Sequence, residues 1–260
     1  MAPPPPAPTQ QLLLDLGADV LSAAAAGACV APVVAAVDKA VAQASSGAAQ
    51  LWPSFFLSLS QLARDPVQAL RGREFRIVWA LYAGTYAANN ACCSYETRAE
   101  KSQPEAKTAA IFCCNTALSL WKDSAFAKLF GTRAPGRVPP LAFAAWGVRD
   151  VVGMGVIFTL PPLLAPRVAS YFDLSPRAAE TACQVLLPMA IQPVVAPFHL
   201  IGYMVYNRPT ATLAQRLAEV RAQLGSVVVA RWVRGFPPYS LGAVANKAAR
   251  TELRARIHGH

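Results

Sequence analysis

The chain has 260 residues, of which 54% are hydrophobic and 15% are charged, and its formal net charge is +10 at pH 7. An ordinary soluble domain has about 25% charged residues, so this composition predicts an all-α membrane protein with several crossing helices. An alanine-rich soluble helical domain is the alternative. The positive charge comes without a basic patch interleaved with aromatic residues, so we expect no nucleic-acid partner.

The amino-terminal segment 1–11, "MAPPPPAPTQQ", is a proline-rich tail without Lys or Arg. A secretory signal needs a basic start, and a transit peptide is rich in arginine. If an organelle imports the chain, we therefore expect the targeting information to lie inside it.

Uncharged runs long enough to cross a bilayer follow the tail. A crossing helix needs about 20 mostly apolar residues, and residues 20–37, 77–95 and 181–198 approach that length without a charge. Three further runs are shorter or carry charges: 108–121, 139–166 (interrupted by Arg149 and Asp150) and 225–249. The sequence thus predicts six transmembrane helices.

The connections between these runs differ in charge. Lys and Arg concentrate in every second one, which is typical of the side of a membrane that retains positive charge. Two segments in the basic connections, 54–70 and 212–224, alternate apolar and polar residues at helical spacing. They predict short helices on the membrane surface, or loop helices packed on the bundle.

Three segments share a position at the end of an odd-numbered run: "AVDKAVAQ" (36–43), "WKDSAFAK" (121–128) and "PFHLIGYM" (197–204). This pattern resembles the mitochondrial carrier family, and "WVRGFPP" (232–238) is similar to that family's step into its sixth helix. The resemblance implies three tandem two-helix repeats in a carrier-like bundle, with short surface helices on the matrix side. The repeats would span 12–98, 99–178 and 179–260.

The resemblance also implies a gate, because that family closes its cavity with a ring of ion pairs at these three segments. Here the chain departs from the pattern, since Val41, Phe126 and Gly202 occupy the basic positions. Lys39 and Lys128 lie off the expected helix face, so we expect no complete ring. The residues that remain are interpreted as relics of a gate: Asp38, Asp123, Pro197 and His199.

Polar residues inside the even-numbered runs are candidates for a solute cavity, because an ionisable group inside a membrane is costly and tends to be functional. Polar contacts between helices are the alternative. The candidates are Asn89, Asn90, Arg149, Asp150, Asn246 and Lys247.

Motifs for enzyme chemistry and metal binding are missing from the sequence. It has no HExxH, P-loop or GxSxG motif, and its six cysteines form no CxxC pair and read as small buried hydrophobes. "HGH" at 258–260 could bind a metal weakly, or it is an exposed tail. We therefore expect no catalytic residues, no metal and no cofactor.

Two functions follow from the resemblance and its departures. The first is an accessory or scaffold subunit of a respiratory complex in the mitochondrial inner membrane, with membrane lipid such as cardiolipin as a further partner. The second is an active solute carrier that exchanges a small anionic metabolite across that membrane. A carrier relative in the outer membrane that acts on other membrane proteins is a third hypothesis.

Overall fold

The computed structural model describes residues 8–258, which are helical apart from short connections. Residues 1–7 of the predicted proline-rich tail, and Gly259 and His260 of the "HGH" segment, lie outside this range. The helices are α1 (Pro8–Ser46), α2 (Leu51–Arg64), α3 (Pro66–Arg71), α4 (Arg73–Ala99), α5 (Pro104–Phe130), α6 (Pro140–Phe172), α7 (Pro176–Ala190), α8 (Gln192–Asn207), α9 (Leu213–Pro237) and α10 (Ala243–His258).

These helices combine into six long segments. Only Ile191 separates α7 from α8, and a π-helical turn, Pro238–Gly242, joins α9 to α10. Each long segment packs on the next along the chain, and α9 and α10 pack back on α1. The segments therefore form a closed ring, in which α1 contacts both its sequence neighbour α4 and the last segment.

Three helices within residues 8–258 are long and apolar enough to cross a membrane: Gln10–Ser46, Pro140–Phe172 and Pro176–Asn207. The all-helical membrane class is confirmed, and the predicted runs 20–37 and 181–198 lie inside two of these helices. The arrangement of six crossings in tandem repeats is not confirmed.

For two of the predicted crossings, the structure reverses which one is apolar enough to cross a membrane. The uncharged run 77–95 lies in α4, which does not reach the apolarity of a crossing helix because polar residues such as Asn89, Asn90 and Ser94 interrupt it. The run 139–166 lies in α6, which is long and apolar enough to cross a membrane, since Arg149 and Asp150 are the only charges of this run.

The two predicted surface helices also differ from the helices that the structure shows. Segment 54–70 forms α2 and α3, which separate at Asp65 because a residue before proline avoids the helical conformation; the Asp65 carboxylate then caps α3 by accepting from the Gln68 N–H at 2.9 Å. Segment 212–224 is not a separate helix. It is the first part of α9, where Thr212 and Gln215 form a capping box.

A close contact between α6 and α8 helps to position the site. Trp146 of α6 is fully buried, its ring lies 5.4 Å from that of Tyr203, and its Nε1–H donates to the His199 carbonyl at 3.3 Å. A Cβ on Gly202 would overlap the Trp146 indole. Glycine at this position therefore lets α8 lie against the indole.

We expect Gly202→Ala to lower the unfolding temperature of the detergent-purified protein, with a loss of about 1–3 kcal/mol, because the added methyl group overpacks the Trp146 contact. Gly225→Ala on α9 is the matched control. No atom lies within 4 Å of its Cβ position, so improved helix propensity should leave it at least as stable as the parent. Equal unfolding temperatures for the two variants would contradict the close α6–α8 approach.

Candidate functional site

A cavity of about 370 Å³ lies inside the ring. Four charged residues line it, the cations Arg149, Arg231 and Arg234 and the carboxylate Asp150. Uncharged polar groups complete the lining, and these come from Tyr82, Thr85, Tyr86, Asn115, Ser119 and Gln192. The remaining lining is mostly apolar, so the cavity combines a few hydrogen-bonding groups with an apolar wall, as small-molecule sites do.

A buried group of charges borders the cavity, and we name it the Asp123 cluster: Asp38, Lys122, Asp123, Arg149, His199 and Arg234. The Lys122 ammonium bridges two carboxylates, with its Nζ 2.7 Å from both Asp38 Oδ2 and Asp123 Oδ1. Arg149 pairs with the other oxygen of Asp123. The Lys122 and Asp123 side chains are 0% exposed, so each charge depends on the others for compensation.

Arg234 and Arg149 extend the Asp123 cluster toward the cavity. Arg234 Nε lies 3.1 Å from Asp38 Oδ1. Arg149 donates to both oxygens of Asp150, at 2.7 and 2.9 Å, and to Ser119 Oγ at 2.9 Å. The cluster thus connects five helices: α1, α5, α6, α8 and α9.

His199 joins the cluster as a neutral imidazole. Arg231 Nη1 lies 2.8 Å from His199 Nδ1, and because a guanidinium can only donate, Nδ1 must accept. The ring proton therefore resides on Nε2, which lies 3.5 Å from Asp123 Oδ1. The Tyr203 hydroxyl donates to the same oxygen at 3.3 Å.

A second polar group, the Asp19 cluster, comprises Asp19, Asn90, Ser94, Asn246, Arg250 and Arg254. Asp19 Oδ1 lies 2.7 Å from Arg250 Nε and 3.0 Å from Arg254 Nη2. Asn90 and Asn246 exchange two amide hydrogen bonds, at 2.9 and 2.8 Å. This cluster holds α1, α4 and α10 together.

The two clusters lie on opposite sides of the cavity along the helix axes. Asp19 and Asp38 are separated by about 28 Å on α1 at the helical rise per residue. On the last segment, Arg231 and Arg234 precede the cavity-lining Pro238 and Ala243, and Arg250 follows them. The π-helical turn therefore lies between the arginines of the two clusters, and such turns occur frequently at functional sites.

The structure distributes the sequence-predicted residues among these regions. Asp38, Asp123 and His199 meet in the Asp123 cluster, whereas Pro197 lies inside α8 without joining it. Of the proposed cavity residues, Arg149 and Asp150 line the cavity and Asn90 and Asn246 belong to the Asp19 cluster. Asn89 and Lys247 are outside the cavity lining, and Lys247 is exposed.

A comparison with models of protein families gives a match over residues 22–254, to a family described as a probable citrulline exporter. The chain belongs to this family. The assignment to the mitochondrial carrier family is therefore wrong. Searches of curated proteins and of solved structures give no significant match.

Asp38 and Asp123 have basic partners even though Val41, Phe126 and Gly202 occupy the basic positions of the expected pattern. The bases come from positions outside the expected pattern: Lys122 from the residue beside Asp123, Arg149 from mid-α6, and Arg234 from the "WVRG" segment. Lys39, the neighbour of Asp38, instead pairs with Glu74 at 3.2 Å. The sequence signal that could have identified Lys122 and Arg234 as partners is their charge, because charged side chains inside an apolar bundle pair with one another.

The adjacent residues Asp38 and Lys39 of this exporter-family chain should respond differently to neutralisation. Asp38→Asn removes a buried counter-charge from Lys122 and Arg234, so we expect a loss of about 3–5 kcal/mol. Lys39→Gln breaks a partly exposed pair and should cost at most about 1 kcal/mol. Thermal unfolding in detergent compares the two, and a similar loss for both would show that the Asp123 cluster is not formed.

Proposed function

We propose that the chain exports citrulline across a membrane, with the central cavity as its binding site. The family to which the chain belongs is described as a probable citrulline exporter, and three helices have the length and apolarity of membrane crossings. The observation that carries the proposal is the cavity, which combines cationic, carboxylate and amide groups inside the helix ring.

The cavity matches the chemistry of citrulline. The solute has a carboxylate, an ammonium and a neutral ureido group that both donates and accepts hydrogen bonds. Arginines suit the carboxylate and Asp150 suits the ammonium, while the amides of Asn115 and Gln192 suit the ureido group. At about 370 Å³ the cavity lies near the lower end of ligand pockets, which favours a single small metabolite.

Export requires that the cavity open to each side of the membrane in turn, and the two clusters are suited to control this. The Asp123 cluster ties helices together on one side of the cavity and the Asp19 cluster on the other. The segment formed by α9 and α10 contributes arginines to both, with the π-helical turn between them. Bending at this turn would release one cluster while the other stays closed, as in alternating access.

This transport function replaces the accessory-subunit hypothesis as our proposal. That hypothesis depended on missing basic partners, and Lys122, Arg149 and Arg234 supply them. Placement in the mitochondrial inner membrane stays a prediction, as do cardiolipin and a respiratory complex as partners. Membrane fractionation and native electrophoresis check these predictions.

Proteoliposomes loaded with labelled citrulline test the proposal. The parent protein should release the label into citrulline-free buffer faster than empty liposomes do. Arg250→Gln should change that rate several-fold, because it weakens the Asp19 cluster. Arg256→Gln is the matched control, since Arg256 is exposed and pairs only with Glu252 on its own helix within the described residues.

A second arm of the same assay separates citrulline from the anionic metabolite predicted earlier. Liposomes are loaded in parallel with labelled malate, phosphate or a nucleotide. Release of one of these anions without release of citrulline would show that citrulline is not the substrate. Release of none of the solutes by correctly folded protein would contradict the transport function.

A further inference from the structure

The cavity and the Asp123 cluster together form the candidate site. Among the described residues of this site, Arg231 is the cation whose charge has no carboxylate partner. Its Nε donates to Gln192 Oε1 at 2.6 Å and its Nη1 donates to His199 Nδ1 at 2.8 Å. Both partners are uncharged. Among the residues that the structure describes, no carboxylate oxygen lies within 4.0 Å of its guanidinium nitrogens.

The other cations of the site are compensated. Lys122 contacts two carboxylates, Arg149 contacts Asp123 and Asp150, and Arg234 contacts Asp38. Counting Arg231, the site has four cations against the three carboxylates Asp38, Asp123 and Asp150. His199 adds no charge because its Nδ1 accepts a hydrogen bond. The site thus has one excess positive charge, and that charge belongs to Arg231.

An uncompensated cation in a partly buried position is costly, so it requires a reason. Arg231 is partly buried and lines the cavity. Arg234 and Arg149 repel it, and the attraction from Asp38 and Asp123, which do not contact it, is weaker than that repulsion. An anionic group entering the cavity would supply the missing counter-charge.

We propose that Arg231 binds the carboxylate group of the transported solute. This inference rests on the proposed transport function and adds the chemical class of the substrate to it. A solute with one carboxylate satisfies the single excess charge, whereas the second carboxylate of a dicarboxylate would find no second uncompensated cation. The site therefore favours a solute with one carboxylate over a dicarboxylate. That solute is either a monocarboxylate anion or an amino acid such as citrulline, whose ammonium would be bound by Asp150.

Binding to the full-length, detergent-purified protein, measured by thermal shift over a range of ligand concentrations, tests the assignment. The probes are citrulline and its α-carboxamide, in which a neutral amide replaces the carboxylate. We expect the parent to bind citrulline roughly 10- to 100-fold more tightly than the amide, the range for one charged hydrogen-bonded contact. Arg231→Gln should reduce that preference to a few-fold or less, and Arg231→Lys should retain part of it.

Two further readouts separate substrate binding from a structural role. Without ligand, Arg231→Gln should unfold at the same temperature as the parent or higher, because it removes an uncompensated charge. Arg221→Gln, on the exposed face of the same helix, should bind both probes as the parent does. A large loss of stability in Arg231→Gln, or a parent-like preference for citrulline, would overturn the proposal.

Pyruvate, alanine and malate complete the panel and distinguish this inference from the proposed function. If pyruvate or alanine binds in an Arg231-dependent way and citrulline does not, citrulline is the wrong substrate and the role of Arg231 stands. If malate binds more tightly than every monocarboxylate, the single-charge argument fails. If no carboxylate shifts the unfolding temperature of the parent, Arg231 is not the carboxylate site.

Discussion

The rest of the structure depends on the compensation of one buried carboxylate. Asp123 is inaccessible to water inside an apolar bundle, where an unpaired charge would be very costly. Its partners come from its own helix, from α6 and from α8. Because these contacts are directional, they set how α6 and α8 are rotated toward α5. Asp38 then extends the same network to α1 and α9.

Two breaks between helices interrupt the long segments of the ring. Ile191 separates α7 from α8 just before Gln192, and Pro238 begins the π-helical turn after Arg234. Both interruptions border the cavity. Proline removes a helical hydrogen bond wherever it occurs inside a helix. Both interruptions therefore lie beside the cavity, and the π-helical turn also lies between the arginines of the two charge clusters.

The charged residues of the site differ in how far their charge is compensated by carboxylates and in how far they face the cavity. Lys122 and Asp123 satisfy each other and have no exposure to the cavity, so their contribution is structural. Arg149 and Arg234 face both ways, with one side toward a carboxylate and the other toward the cavity. Arg231 has only neutral partners. In our proposal this charge is available to the carboxylate of a solute, at some cost in stability.

Composition and the length of the apolar runs determined by themselves the class of helical membrane protein, and they located α1, one of the three helices long and apolar enough to cross a membrane. They also marked Arg149 and Asp150 as unusual, because charge inside an apolar run needs no neighbours to be noticed, whereas Asp38 and Asp123 were selected through the resemblance to the mitochondrial carrier family. The short helix-end motifs misled, since alanine-rich helices match a spaced pattern of a few residues easily. Only the tertiary structure decided that Lys122 and Arg234 compensate Asp38 and that Arg231 stays uncompensated. Long Lys and Arg side chains reach carboxylates even when their own Cα does not lie on the helix face that the sequence pattern predicts. The pairing therefore depends on how helices distant in sequence are rotated in the ring.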